Sequence, residues 1–386
     1  MSRFVLGGLL RKLIIIFILT SFCFQSIAGS RERAWKMHNR LAGVPPTQDV
    51  LDDMSAAITQ GDPEAAAKIA MDNPGFYNIT LKNWIKPWSN RERTPRIPMN
   101  DYVATILGVI RDDTPFDKIL YDDILYIVDN AALPVYSNTD NNHYRNAETQ
   151  NISFMDTLVA RTQSTVTGLP SAAVAGVTTT RNAGENYFSA GTNRRVNRFI
   201  FMNYLCKDYE DLHDITVPDF RVARDVERNP GGDSRTYKNR CVGCHAGQDG
   251  LRGAYAYYNF SENQLVYTQG QVQGKMNQNN YYPQGFVTTN DEWINLWSTG
   301  QNTTVGWRGA VSGNGAQSIG MMFAKSKAFS QCMAKKVFKL VCMRDVVNTA
   351  DVASVAQMAT QFEANNKYSM KDLIAKTSAG CVINEN

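Results

Sequence analysis

The sequence predicts a mainly α protein, a multi-helical domain with long loops preceded by an N-terminal helical layer. Three observations predict it. Apolar residues recur at three- and four-residue intervals, capping side chains and N1 prolines stand where those runs begin, and the C-terminal third is a succession of such runs.

Residues 1–28 are set apart from the rest. Arg3, Arg11 and Lys12 precede an apolar run, Leu13 to Phe24, that falls short of the ~20 residues a spanning helix needs, and Ser26-Ile27-Ala28 offers small residues at a cleavage site. This pattern predicts a secretory signal and a periplasmic or secreted protein with no integral membrane segment once the signal is removed. Phe22 before Cys23 argues against a lipid anchor.

Residues 29–150 form the predicted N-terminal helical region. Thr47 can cap a helix running to about Gln60, Asp62-Pro63 opens another, and Thr114-Pro115 opens a third over TPFDKILYDDILYIV. Between them, the stretch from Pro98 to Arg111 puts Tyr102, Ile106, Val109 and Ile110 on one face. The polar, turn-rich residues 133–150 read as a surface loop.

Residues 151–386 form the second predicted region. Asn193 to Cys206 carries an apolar stripe of Val196, Phe199, Ile200 and Tyr204 behind a basic start, and Asp219 to Cys241 reads as an irregular approach rich in arginine. Trp293, Trp297 and Trp307 precede a predicted helix from Ser318 to about Val341, followed by helices over 350–365 and 370–377.

The chemistry concentrates in Cys241-Val242-Gly243-Cys244-His245. Two thiols at this spacing can add across the vinyl groups of a haem while the adjacent imidazole ligates the iron, so the pentapeptide predicts one covalently attached haem c held by Cys241 and Cys244, with His245 as proximal iron ligand. A zinc knuckle needs further ligands, and His38, His143 and His213 fall in no such array. A thioredoxin-like dithiol needs a βαβ setting that the pattern lacks.

Other residues are expected around the haem. Arg194 and Arg195 can meet its propionates or belong to a solvated helix face. Tyr255, Tyr257, Tyr258 and Phe260 suit either a haem pocket or ordinary core. Met276, in a polar stretch 31 residues beyond His245, is the first choice for a distal ligand. Met321 and Met322 read as core and His213 as a surface histidine.

Charge and cysteine usage agree with export. The chain holds 40 basic and 36 acidic residues; the first 28 take three of the basic ones, leaving 37 against 36, so no nucleic-acid footprint is present. Apart from Cys23 and the haem pair, Cys206, Cys332, Cys342 and Cys381 can form two disulfides. Cys332 and Cys342 fall ten residues apart in one predicted helix, ~15 Å along its axis, so each must pair elsewhere.

From about Gly168 to Asp345 the chain resembles secreted bacterial c-type cytochrome-like proteins of the planctomycete-type cytochrome-associated domain families. The likeness rests on Arg224-Asp225-Val226 with Pro230-Gly231-Gly232, on CVGCHAGQDGLRGAYAYYNF and on SGNGAQSIGMMFAKSKAFSQCMAKKVF. The family's haem run has methionine before Asp and proline after it, where this chain has Gln248-Asp249-Gly250. The resemblance implies a secreted haem protein and carries over Cys241, Cys244 and His245.

Two functions follow as expectations. One is an exported monohaem cytochrome passing single electrons between redox partner proteins of the cell envelope, with Met276 as distal ligand. The other is a haem oxidoreductase with an open or labile distal position; it draws on a length far beyond the ~100 residues of a small domain.

Overall fold

The computed structural model describes residues 29–364 and 367–383, so the expected signal at 1–28 lies outside the described residues. The fold is mainly α. Its principal helices are α1 (Ser30–Ala42), α2 (Gln48–Thr59), α3 (Pro63–Met71), α4 (Asp101–Arg111), α5 (Asn142–Thr149), α6 (Arg194–Ile200), α7 (Val242–Leu251), α8 (Gly315–Lys325), α9 (Lys327–Cys342), α10 (Thr349–Ala364) and α11 (Met370–Ile383). Three small antiparallel ladders accompany them: β1 (Leu125–Val128) with β2 (Leu158–Arg161), β3 (Tyr258–Ser261) with β4 (Gln264–Tyr267), and β5 (Glu292–Ile294) with β6 (Ser312–Asn314). Among the described residues no helix is long and apolar enough to cross a membrane.

Local sequence explains the helix starts. The Thr47 hydroxyl accepts from Val50 N and the Asp62 carboxylate from Ala65 N, each satisfying an amide that the first turn leaves unpaired. Helix α4 is buried on every side from Asp101 to Ile110, so its predicted apolar face is only part of what it hides.

Three expectations need correction. Thr114-Pro115 opens only a short 3₁₀ helix, Phe116–Leu120, and not one running through TPFDKILYDDILYIV; Leu125–Val128 pairs as β1, from Leu125 opposite Arg161 to Val128 opposite Leu158. Adjacent β-formers Tyr126, Ile127 and Val128 gain a partner strand, and that tertiary pairing overrides the helical spacing. Residues 133–150 are not all surface loop, because α5 buries His143, Tyr144 and Ala147. His143 explains the burial: Nε2 accepts from Val128 N at 3.0 Å while Nδ1 bonds the Pro134 carbonyl at 2.7 Å. The predicted long helix after residue 318 is two helices, broken at Ser326, whose hydroxyl caps α9 by accepting from Phe329 N.

The core does not divide at residue 150. One continuous set of buried apolar side chains runs from Ala34 in α1 to Ala375 in α11. The chain ends are clasped by Lys68 to Asp372 at 2.8 Å, by Ser369 Oγ to Asp113 at 2.6 Å, and by Phe116 N donating to the Tyr368 carbonyl. The helices of 29–150 thus pack into the same body as the C-terminal ones.

Both disulfides avoid the pair that helix geometry forbids. Cys206 joins Cys332 and Cys342 joins Cys381, with Cα separations of 5.2 and 5.4 Å. The first closes a span of 126 residues and ties the end of the α6 segment to α9. A Cys206→Ser/Cys332→Ser double variant is expected to lose about 3–5 kcal/mol, read as a lower guanidinium midpoint with native far-UV dichroism retained.

Candidate functional site

The pentapeptide closes a widened helical turn, Tyr237–Cys241, and opens α7. Helical spacing puts Cys241, Cys244 and His245 on one side of this helix. Gly243, Gly247 and Gly250 recur on another, where close neighbours leave no room for side chains: the His213 ring lies against Gly243, the Trp297 indole against Gly247 and the Ile294 carbonyl against Gly250. Trp297 is fully buried, so this seating fixes α7 in the core and turns its reactive side outward.

Cys241 and Cys244 are both half-buried free thiols. Cys244 Sγ donates to the Tyr209 carbonyl at 3.4 Å. Burial, followed by the charges of Glu210 and Asp208, pushes its thiol up to about 11. A working dithiol redox pair needs the opposite shift, so the surroundings of Cys244 do not suit a free nucleophile. Among the described residues no three His, Cys, Asp or Glu side chains come together to hold a metal ion, which leaves the zinc-knuckle alternative without a ligand set.

A cavity of about 390 Å³ opens beside Cys244 and His245. Phe199 from α6 and Tyr209 supply its aromatic wall, Gln248 extends it along α7, and Arg194, Arg195, Arg198 and Glu210 supply its charges. Asn193, at the head of α6, donates its amide to the carbonyls of Tyr255 and Tyr258 at 2.8 and 2.9 Å, which sets where these arginines begin.

Behind His245 lies a buried ionic chain. Nδ1 of His245 is 3.6 Å from Asp249 Oδ1, one helical turn on, and is buried without a hydrogen bond. Asp249 receives two contacts from Arg194, through Nε and through Nη2 at 2.8 Å, and its Oδ2 also accepts from Ala223 N at 2.9 Å. Arg194 grips Asp225 with Nη1 at 2.5 Å and Nη2 at 2.8 Å. Burial pushes the Asp249 carboxyl up, but the Arg194 charge and hydrogen bonds, with His245, outweigh it and hold the group well below the usual carboxylate range. Arg252, also buried, donates to the Met276 carbonyl at 2.8 Å and lends a second positive charge; burial draws it down to about 10. Turning Nδ1 to a carboxylate leaves Nε2 as the ring nitrogen for the cavity, the arrangement metal-binding histidines use.

The residues present fit a haem. Two unoxidised thiols and an oriented imidazole share one face, an aromatic wall stands beside them, and Arg195 keeps a buried Nη1 with no hydrogen-bond partner. Burial and the charge of Arg91 draw the Arg195 guanidinium below its usual value, and among the described residues it makes no ion pair.

Several expected site residues are placed differently. Arg194 is no free propionate partner, since Asp225 and Asp249 consume its guanidinium; Arg195 remains available. Met276 is buried in a separate small cluster with Ala256 and Tyr257 and does not line the His245 cavity, so its expected distal role finds no support in the geometry. Tyr255 and Tyr258 are core, packed about Phe188, and the cavity aromatics are Phe199 and Tyr209 instead. His213 is half-buried against α7. Asp249 was detectable at i+4 from His245; Asp225 and Arg252 left no comparable signal.

Together these elements define a mainly α protein with a Cys-Cys-His face opening on an aromatic, cationic cavity. Compared with protein-family models, curated proteins and solved structures, the chain finds no match.

The ionic chain makes stability acid-sensitive. Asp225 and Asp249 both lie below their unfolded values, so their contribution is full above about pH 4 and is withdrawn as pH falls, when the unfolded chain takes up protons first. Asp249→Asn is expected to cost stability near the lower end of the ~3–5 kcal/mol typical of a broken buried pair, because Arg194 keeps Asp225. Its unfolding midpoint, followed from pH 7 to acid, is expected to vary less with pH than that of the parent.

Proposed function

We propose that the protein is an exported c-type cytochrome that binds one haem covalently through Cys241 and Cys244, with His245 as proximal ligand, and carries single electrons between partner proteins of the cell envelope. The observation that carries this reading is the shared helical face of two free cysteines and a histidine whose Nδ1 is turned to a buried carboxylate. When bound, the haem supplies a one-electron iron couple.

The chain's own residues do the rest. Asp249 orients the His245 ring, Arg194 keeps Asp249 charged, Phe199 and Tyr209 exclude water on one side, and Arg195 offers an unpaired guanidinium to a carboxylate. The two disulfides agree with an oxidising compartment.

A second reading draws on one specific observation. The residues lining the cavity with His245 include neither a methionine nor a second histidine. An iron without a strong second protein ligand is open to small molecules, which favours a haem oxidoreductase.

Produced with a working cytochrome c maturation system, the protein is expected to gain the mass of one haem, and a Cys241→Ala/Cys244→Ala variant to gain none; an unmodified parent overturns both readings. Carbon monoxide then separates them. A carrier with two strong axial ligands leaves its reduced spectrum unchanged, whereas an open distal position gives an immediate shift.

A further inference from the structure

The approach to Cys241 carries a second feature that the attachment site does not use. Residues 219–228 and 280–287 lie side by side, joined by Tyr282 N to the Arg224 carbonyl, by Phe286 N to the Val222 carbonyl, both at 2.9 Å, and by a parallel bridge between Ala223 and Phe286. Arg228 sits between two rings, 4.6 Å from Tyr237 and 4.9 Å from Tyr282, which fastens both segments to the turn that leads into Cys241. Arg221 stacks 4.5 Å from the Phe286 ring. These are three connected parts of one surface.

Its composition is unusual in two respects. Large apolar side chains stand in the open: Phe220 is 58% exposed, Tyr281 61% and Val287 41%. Positive charge is also left over. Among the described residues, Arg221, Arg224, Arg228, Lys238 and Arg240 make no ion pair, while Asp225 is committed to Arg194 and Asp233 to Arg235. Asp219 and Glu227 are the remaining carboxylates of these segments, and Asp219 already accepts from the Tyr237 hydroxyl.

We propose that this surface docks an acidic face of a partner protein, one with an apolar centre and a carboxylate rim. Arg228 spends its donors on the Val222 and Val226 carbonyls and adds charge alone, whereas Arg221, stacked on Phe286, keeps its N–H edge for a carboxylate, and exposed aromatic residues beside arginine are what anchor protein interfaces. The partner's being a redox protein rests on the electron-carrier reading; the charge and shape of the surface do not. Lys238 and Arg240 lie within three residues of Cys241, so a partner seated here is held close to the attachment site.

The test uses the full chain and a fluorescein-labelled peptide of glutamate and leucine, read by anisotropy. Lys238→Glu/Arg240→Glu, two exposed side chains, is expected to weaken binding about tenfold at low salt, and raising salt from about 20 to 200 mM to weaken the parent by a similar factor. Phe220→Ser/Tyr281→Ser is expected to weaken binding about threefold or more at either salt. Far-UV dichroism checks that each variant folds. Binding by either variant within about twofold of the parent overturns the proposal, as does tighter, charge-dependent binding of phosphatidylglycerol vesicles or a single-stranded oligonucleotide. Haem mass is measured on the same samples: haem-loaded variants that bind undiminished overturn the surface alone, whereas charge-dependent binding by a protein with no adduct keeps the surface and overturns the electron-carrier reading.

Discussion

Arg194, held between Asp225 and Asp249, is the constraint on which the site rests. Its three partners to the side chain come from separate stretches: Thr192 before α6, Asp225 in the irregular approach and Asp249 in α7. A guanidinium can satisfy two carboxylates at once because its donors are fixed in a plane, and a lysine in the same place would leave oxygen lone pairs unmet. The pairing therefore does more than neutralise charge. It sets the distance between α6, which furnishes Phe199 and Arg195, and α7, which furnishes the thiols and the imidazole. It also pins Ala223 through the same carboxylate, so the approach to Cys241 is anchored to the site it leads into.

Burying these charges carries a cost that the arrangement offsets in two ways. Arg194 and Arg252 balance Asp225 and Asp249, and Asp249 accepts from Arg194 on both oxygens and from Ala223 N on Oδ2 as well. A buried ion pair is weak evidence for stability, since desolvation opposes the Coulomb gain; what fixes the geometry here is the set of directed hydrogen bonds that Arg194 and Ala223 N make to the two carboxylates. That geometry has a purpose at His245. A histidine on a free helix face can turn either nitrogen outward; one facing a charged, immobile carboxylate one turn away cannot do so indifferently. The glycine positions opposite serve the same end, because a helix seated against the His213 ring, Trp297 and the Ile294 carbonyl cannot roll.

The parts legible in the sequence were those written in local spacing. Thr47, Asp62 and the apolar stripes of α4 and α6 act through neighbours three or four residues away, and helices formed there, whereas the stripe after residue 318 was split at Ser326 into α8 and α9. The exclusion of a Cys332–Cys342 bond followed from helical rise alone. What escaped was set by distant partners. Leu125–Val128 became a strand because Leu158–Arg161 was there to pair with it, and His143 was drawn inward by Val128 and Pro134. In the site, the pentapeptide named its own three residues, but a polar setting misdirected the reading of Met276, which is covered by Ala256 and Tyr257 from a segment twenty residues earlier. No single-sequence pattern links Arg194 to Asp225.

Arg194 and Arg195 show how closely structure and availability can differ between adjacent residues. On a helix, consecutive side chains point about 100° apart, so the two, though both reach the cavity lining, meet different partners. One turns to the carboxylates behind α7 and becomes part of the frame. Its neighbour feels the charge of Arg91, makes no ion pair among the described residues, and keeps a buried donor unmatched. An unsatisfied buried donor costs about 1–3 kcal/mol, and a like-charged neighbour adds to that strain. A negatively charged group entering the cavity would relieve both. The frame residue holds α6 to α7, and its neighbour keeps a guanidinium without an ion-pair partner among the described residues; neither role can be exchanged for the other without losing the contacts that define it.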